Sequence, residues 1–168
     1  MSSVQPVRFE DGRPMLLAGL RRRHRLVDAA RDIPQQWREF VDLGPIPGAV
    51  NDAEYGADCG ADCGAAGDAF EYLCAVEVAD FSALPGSINR IRVPAVRYAI
   101  FEHVGSLDGL HATWTAILHH WLPNSVYVTT STPDFERYDA RFDRAARSGV
   151  VEIWIGIQPK SAGYPPVA

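Results

Sequence analysis

The sequence predicts an α+β fold in which two similar halves each run strand, helix, strand, strand. Two observations support this prediction. Apolar residues at helical spacing occur in two separate segments, and each helical segment follows one strand-like segment and precedes two more. The second set repeats the first in architecture and not in residue identity. We therefore expect two halves, at residues 15–80 and 92–160, whose sheets pack together and leave a central groove along an approximate two-fold axis.

In the first half, the helix has the clearest boundaries. Asp32 is a candidate N-terminal cap, Pro34 suits a first helical turn, and Gly44, which is followed by proline, ends the pattern. The apolar face of this helix is formed by Ile33, Trp37, Phe40 and Val41. We predict the four elements of this half at residues 15–25, 33–43, 50–57 and 69–79.

In the second half, a longer helix follows the first strand. Ser106 is its candidate cap, and Pro123 lies where the helical pattern stops. The buried face of this helix steps by three and four residues through Leu107, Leu110, Trp114, Ile117, Leu118 and Trp121. We predict the four elements of this half at residues 96–105, 107–122, 126–138 and 150–158.

Composition limits the functions that such a domain can have. The 168 residues are 47% hydrophobic and 22% charged, as in an ordinary globular domain. A formal net charge of −5 and a pI near 5.5 argue against general affinity for phosphate backbones. No apolar run approaches the ~20 residues of a membrane span, and the N-terminus lacks a secretory pattern. We expect a cytoplasmic protein with one domain, an arm at residues 1–14 and a tail at 161–168, and no membrane partner.

The three cysteines predict neither a disulfide framework nor a metal site. Cys59 and Cys63 belong to a duplicated Gly-Ala-Asp-Cys segment, and a zinc site normally takes four Cys or His ligands at ordered spacings. No second ligand pair lies nearby in the sequence. We interpret residues 57–68 as a mobile, glycine-rich hairpin tip, and we expect no metal and no cofactor.

One carboxylate, Glu136, lies among aromatic residues in a strand-like segment. Because side chains two apart in a strand share a face, Glu136 and Tyr138 should point one way and Phe135 and Arg137 the other. A carboxylate on an aromatic face is costly unless a cation or hydrogen-bond donors compensate it. Aromatic neighbours add cation–π attraction of about 0.5–2 kcal/mol each. The pattern therefore indicates a site for a delocalised cation.

At this point the sequence resembles the GyrI-like small-molecule-binding domains, which also serve as effector-binding modules of AraC-type and multidrug-responsive MerR-type regulators. The resemblance covers about residues 17–160. It is carried by Ala18-Gly19-Leu20, Ile33-Pro34 with Trp37 and Phe40, a turn at Tyr55-Gly56, Phe70-Glu71-Tyr72, Val76-Glu77-Val78, Tyr98-Ala99-Ile100-Phe101 with His103 and Gly105, Trp121-Leu122-Pro123, Phe135-Glu136 with Tyr138, and Val151-Glu152-Ile153-Trp154-Ile155.

The resemblance implies a duplicated strand-helix-strand-strand fold whose groove receives flat, lipophilic, often cationic molecules. The groove glutamate of ligand-binding members matches Glu136. Our candidate groove residues are Trp37, Tyr55, Leu110, Trp114, Tyr138 and Trp154, with Phe40, Tyr72 and His111 as second choices. Ordinary core packing is the alternative for each aromatic residue. Glu152 is interpreted as a solvent-facing residue of the last strand.

Two other functions stay open. Some members of this family hydrolyse strained electrophilic rings, and a desolvated Glu136 could activate water there, with His111 or His103 as a proton partner. Other members are named as DNA gyrase inhibitors, which would make the chain a protein-interaction module. Regulators of the family read DNA through a helix-turn-helix ahead of the groove domain. Only residues 1–14 precede the domain here, so we expect no direct DNA binding. The oligomeric state is left open.

Overall fold

The computed structural model of the chain describes residues 3–61 and 68–161. The strands are β1 (Arg8–Asp11), β2 (Met15–Arg25), β3 (Ala49–Ala61), β4 (Ala69–Val78), β5 (Asn89–Val93), β6 (Arg97–Ser106), β7 (Tyr127–Thr129), β8 (Phe135–Asp143) and β9 (Ser148–Pro159). The helices are α1 (Ala29–Asp42), α2 (Leu110–Ala116) and α3 (Leu122–Asn124). A 3-10 turn at Leu107–Gly109 precedes α2, and a π-helical turn at Ile117–Trp121 joins α2 to α3.

These strands form one antiparallel sheet in the order β1-β6-β9-β8-β3-β4-β2-β5, with β7 also paired to β9. The order is symmetrical about the β8–β3 pair, which is the arrangement expected for the two halves predicted from the sequence. Each short leading strand pairs with the other half, since β1 lies beside β6 and β5 lies beside β2. The central strands β3 and β8 therefore join the halves. The predicted α+β class is confirmed.

The sheet curls. Leu17 on β2 and Ile100 on β6 belong to one buried cluster, although five strand spacings, about 24 Å in a flat sheet, separate their strands. That cluster fills the concave face and contains no helical residue. The other face carries two clusters, one packed against α1 and one against α2. The helices lie over the outer strands, with α1 on β2 and β4 and α2 on β6.

Helix α1 begins earlier than the sequence predicted. Asp28 holds the N-cap position, and Asp32, the predicted cap, lies inside the first turn, where its negative charge suits the helix dipole. Pro34 is inside the helix and not in its first turn. The predicted end is confirmed, because the helix stops at Asp42 and Gly44 adopts a positive φ of 75°. In the second half, the Ser106 side chain accepts a hydrogen bond from the Asp108 amide and caps the helical segment as predicted.

Three strand predictions need correction. The segment predicted as one strand at 126–138 is β7 and β8, which run along β9 and are separated by residues 130–134, where Pro133 cannot donate to the ladder. Strand β5 was not predicted. Strand β3 continues to Ala61, so residues 57–61, predicted as part of a mobile tip, belong to this strand and pair with β4 on both sides of an irregularity between Asp58 and Ala61. Residues 62–67 of that tip, with Cys63, lie outside the described residues, as does all of the predicted tail except Ser161. No helix in the described ranges is long and apolar enough to cross a membrane.

Candidate ligand-binding site

Glu136 lies on β8, one of the two central strands, and faces the helical side of the sheet. Its backbone pairs with Gly56 on β3. The predicted alternation holds, because Glu136 and Tyr138 share this face while Phe135 belongs to the concave core. Gly56 leaves room above the strand pair for the Tyr72 hydroxyl group and the Glu136 carboxylate. A Cβ at this position would collide with the Tyr72 hydroxyl group and lie 2.9 Å from the Glu136 carboxylate.

The Glu136 carboxylate accepts three hydrogen bonds from aromatic side chains. The hydroxyl groups of Tyr138 and Tyr72 donate to Oε2, at 2.6 Å and 2.9 Å, and the indole Nε1 of Trp114 donates to Oε1 at 2.9 Å. These donors come from β8, β4 and α2, so both halves of the chain contribute. We call Trp37, Tyr72, Trp114, Glu136 and Tyr138 the glutamate site.

Burial dominates the electrostatics of the glutamate site. The side chain of Glu136 is buried, with the residue 8% exposed, and desolvation raises the pKa of its carboxyl group although the three hydrogen bonds oppose this shift. Desolvation, together with the nearby carboxylate, raises the pKa of Tyr72 and of Tyr138 well above the ordinary value, so both hydroxyl groups remain donors. No arginine or lysine of the described residues forms a salt bridge with Glu136. Among the residues that the structure describes, the charge is compensated by the three hydrogen-bond donors.

Trp37 extends the aromatic wall from α1. Its ring meets the Tyr138 ring edge to face at a centroid distance of 5.3 Å and the Phe40 ring at 5.6 Å. Tyr138 in turn packs against Phe142 at 5.0 Å. The indole of Trp37 and that of Trp114 therefore reach the glutamate site from different helices.

Sequence reasoning missed three charged residues near the glutamate site. Asp58, two residues from Gly56 on the same face, has a pKa raised by partial burial, and its charge further raises the pKa of Glu136. Glu54, on the same face of β3, forms an ion pair with Arg144. The Arg144 guanidinium lies 5.5 Å from the centre of the Trp37 ring. The alternation of β3 around Gly56 was the sequence signal for the two acidic residues, and Arg144 had none.

The structure separates the predicted site residues into groups. Glu136, Tyr138, Trp37, Trp114 and Tyr72 come together, and Tyr72, a second choice, is a direct partner of the carboxylate. Phe40 is buried behind Trp37, Leu110 packs into the core beneath α2, and His111 is exposed on the surface of α2. His103 bonds to the Thr113 hydroxyl and the Ser106 carbonyl, which gives it a structural role.

Tyr55 and Trp154 lie on the opposite face from Glu136, so the structure does not bring them together with it. Tyr55 is next to Gly56 in the strand and therefore points away from the glutamate site. Trp154 pairs with Phe135 and stacks on its ring at 5.3 Å. The segment 55–56, predicted as a turn, is paired strand within β3.

The concave face has a cavity of its own, of about 290 Å³. Its walls are aromatic and its rim is charged, and it includes Arg8, Arg13, Tyr55, Glu77, Tyr98, Phe135, Arg137 and Trp154. The charges are paired with one another. Arg13 bonds to Glu77, and Arg8 and the Trp154 indole bond to Glu152. Glu152, interpreted from the sequence as solvent-facing, is 3% exposed.

Comparison with known proteins gives one family and several relatives. Residues 10–157 match the protein family described as "Cass2: Integron-associated effector binding protein". The transcriptional regulator BrlR of Pseudomonas aeruginosa is 34% identical over 73 residues, which cover 44% of this chain and 27% of BrlR. The chain thus aligns with about a quarter of that regulator's length.

Two solved structures are similar over nearly the whole chain. An integron cassette protein from the mobile metagenome of Vibrio cholerae has a TM-score of 0.67 and 17% identity, and the match covers 92% of this chain and 97% of the other. SAV2435, solved bound to tetraphenylphosphonium, has a TM-score of 0.71 and 19% identity, with 90% and 93% covered. At these identities the likeness shows the fold alone.

Proposed function

Because the chain belongs to the family of integron-associated effector binding proteins, we propose that it binds hydrophobic, planar, cationic small molecules at the glutamate site. The family establishes an effector-binding domain, and the GyrI-like resemblance is confirmed at that level. The charge and shape of the ligand, and the role of Glu136, are our proposal. By binding such compounds, the protein would sense or sequester them in the cytoplasm.

One observation carries the proposal. The Glu136 carboxylate is buried against three aromatic side chains that donate to it, and no cationic partner from the described residues neutralises it. A buried carboxylate without a cation costs the empty protein free energy. A lipophilic cation recovers part of that cost and gains contact with the aromatic rings. SAV2435, which has the same fold, is solved with such a cation, and this supports the choice of probe.

Fluorescence titration with tetraphenylphosphonium tests the proposal, since two of the chain's four tryptophans lie in the glutamate site. Tetraphenylborate is the matched control ligand because it has the same shape and the opposite charge. Glu136→Gln keeps the side-chain size and removes the charge. At an effective dielectric constant of 20, two charges about 4 Å apart attract by about 4 kcal/mol, part of which desolvation offsets.

We expect the cation to bind with a Kd in the micromolar range, on the order of −8 kcal/mol, and Glu136→Gln to weaken binding at least tenfold, about 1.4 kcal/mol. Tetraphenylborate should bind much more weakly than the cation to the wild type. Equal binding of both ions, or unchanged affinity in Glu136→Gln, would remove the glutamate site from the function. A planar cationic dye tests the proposed ligand shape, because the phenyl groups of tetraphenylphosphonium are arranged tetrahedrally, and the dye should bind at least as tightly as tetraphenylphosphonium.

A second candidate function is hydrolysis of an electrophilic, strained-ring compound. The raised pKa of Glu136 favours it, because a carboxyl group that titrates closer to neutral pH is a better general base. Mass spectrometry of each ligand after incubation distinguishes the two functions. Intact recovery of every compound supports binding alone. A product with one added water, formed by the wild type and absent with Glu136→Gln, would identify a hydrolase.

A further inference from the structure

We propose that Arg144 is a built-in cation that occupies the aromatic side of the glutamate site and that a cationic ligand must displace it. This inference rests on the proposed function, because it concerns the same site. It makes Arg144 a specificity-determining residue. Only ligands whose charge and aromatic contacts outweigh those of Arg144 would bind tightly.

The position of Arg144 carries the inference. It follows directly after β8, the strand that holds Glu136 and Tyr138. Its guanidinium lies 5.5 Å from the Trp37 ring centre, and it forms an ion pair with Glu54 on β3. The Trp37 ring contacts Tyr138 at 5.3 Å, and the Tyr138 hydroxyl group reaches Glu136 at 2.6 Å. A short series of contacts therefore connects Arg144 to the buried carboxylate.

Arg144 makes the same kinds of contact as the proposed ligand. Arg144 and the proposed ligand are both planar, delocalised cations that lie over an indole ring and beside a carboxylate. Partial burial lowers the pKa of Arg144, although a guanidinium group stays charged at any physiological pH. Its positive charge also opposes a second cation at short range. The ligand-free protein is thus stabilised in a form in which the Arg144 guanidinium already covers the Trp37 ring.

Removing the guanidinium should tighten binding of a cation. Arg144→Gln frees the Trp37 ring, leaves Glu54 without its partner and removes one positive charge, and all three changes favour a ligand cation. When Arg144 covers the Trp37 ring, the site is closed to the ligand. Destabilising that state raises the apparent affinity of the site for the ligand. We expect the Kd of tetraphenylphosphonium to fall about tenfold, which is about 1.4 kcal/mol.

Arg147 provides the matched control because it lies in the same turn. Its side chain has no ion pair or ring contact within the described residues. Its backbone carbonyl accepts a hydrogen bond from the Leu107 amide and its backbone amide donates to the Arg144 carbonyl, and a side-chain substitution keeps both bonds. Arg147→Gln removes the same charge and should change the Kd less than about twofold. Arg144→Lys keeps the charge near Glu54 and loses the planar stack, so it should tighten binding by less than Arg144→Gln does.

Proton NMR of the wild type gives a second readout. The side-chain protons of Arg144 should be shifted upfield by the Trp37 ring in the empty protein and should move to ordinary positions at saturating tetraphenylphosphonium. Loss of the upfield shift in Trp37→Leu assigns it to this ring.

The outcomes separate this inference from the function on which it rests. If the cation binds, Glu136→Gln weakens binding and Arg144→Gln tightens it, both hold. If Glu136→Gln weakens binding but Arg144→Gln leaves it unchanged or weakens it, the displacement inference is overturned and the proposed function stands. An upfield shift of Arg144 that persists at saturation overturns the inference as well. Failure of the wild type and of Arg144→Gln to bind the cation at all overturns both.

Discussion

Tyr138→Phe should change the pH at which the protein begins to bind cations. The Tyr138 hydroxyl group donates the shortest of the three hydrogen bonds to Glu136, at 2.6 Å. Phenylalanine removes this donor and keeps the ring, so the contacts with Trp37 and Phe142 remain. Hydrogen bonds to a carboxylate favour its ionised form. The substitution therefore raises the pKa of Glu136 further, beyond the increase that desolvation already causes.

The size of the effect follows from the strength of that hydrogen bond. A hydrogen bond to a charged group contributes about 1.5–3 kcal/mol, and one pKa unit corresponds to about 1.4 kcal/mol. Under the proposed function, cation binding needs ionised Glu136, so we expect affinity to be full above its pKa and to fall as the pH drops through it. We expect the midpoint of this fall to move to higher pH by about one to two units in Tyr138→Phe.

The assay is titration with tetraphenylphosphonium at pH values from about 5 to 9, a range in which the cation carries its charge throughout. Tyr127→Phe is the control, because Tyr127 stacks on Trp121 and lies outside the glutamate site. A midpoint that stays in place, with affinity reduced equally at every pH, would show that the hydroxyl group does not tune Glu136. A midpoint that moves to lower pH would refute the electrostatic reasoning altogether.

Three further expectations concern stability and the two faces of the sheet. Desolvation raises the pKa of Glu136 in the folded state. The stability that the protonated carboxyl group provides is therefore lost as the pH rises through that pKa. Glu136→Gln should resist urea better than the wild type near pH 8 but not near pH 4. Gly56→Ala should lower the free energy of unfolding by about 1–3 kcal/mol and abolish cation binding, whereas Gly86→Ala, which has open space around it, should do neither. Trp154→Phe should leave the Kd of the cation within about twofold of the wild type. Trp114→Phe, which removes a donor to Glu136, should weaken binding about fivefold or more. Equal effects would contradict the conclusion that Trp154 and Glu136 lie on opposite faces of the sheet.

Local sequence patterns predicted both helical segments and the long strands of the fold. They do not specify which strands pair with each other, and the features that depend on strand pairing were not predicted. Apolar spacing located both helices, because a single buried face controls a helix. Strand β5 was missed, since Arg90 and Arg92 make it read as a polar connection between the halves. The start of α1 was missed because Asp28 and Asp32 are equally good caps by residue type.

Strand pairing also limits how much of the glutamate site the sequence predicts. The position of Glu136 and Tyr138 on one face follows from the two-residue repeat of a single strand. Whether Tyr55 and Trp154 share that face depends on the pairing of β3 and β9 with β8, and a shift of one residue reverses the answer. Arg144 comes to Trp37 from a turn, and no periodic pattern connects the two residues.

The exchange of leading strands has a consequence for how the chain folds. Strand β1 lies beside β6 and β5 lies beside β2, so the outer edge of each half is completed by a segment of the other. Most of the sheet therefore depends on contacts between residues far apart in sequence, which slows folding because long loops must close first. Neither half could complete its sheet while the other was unfolded. The chain should fold and unfold as one cooperative unit, and Glu136 should acquire its partners only at the end.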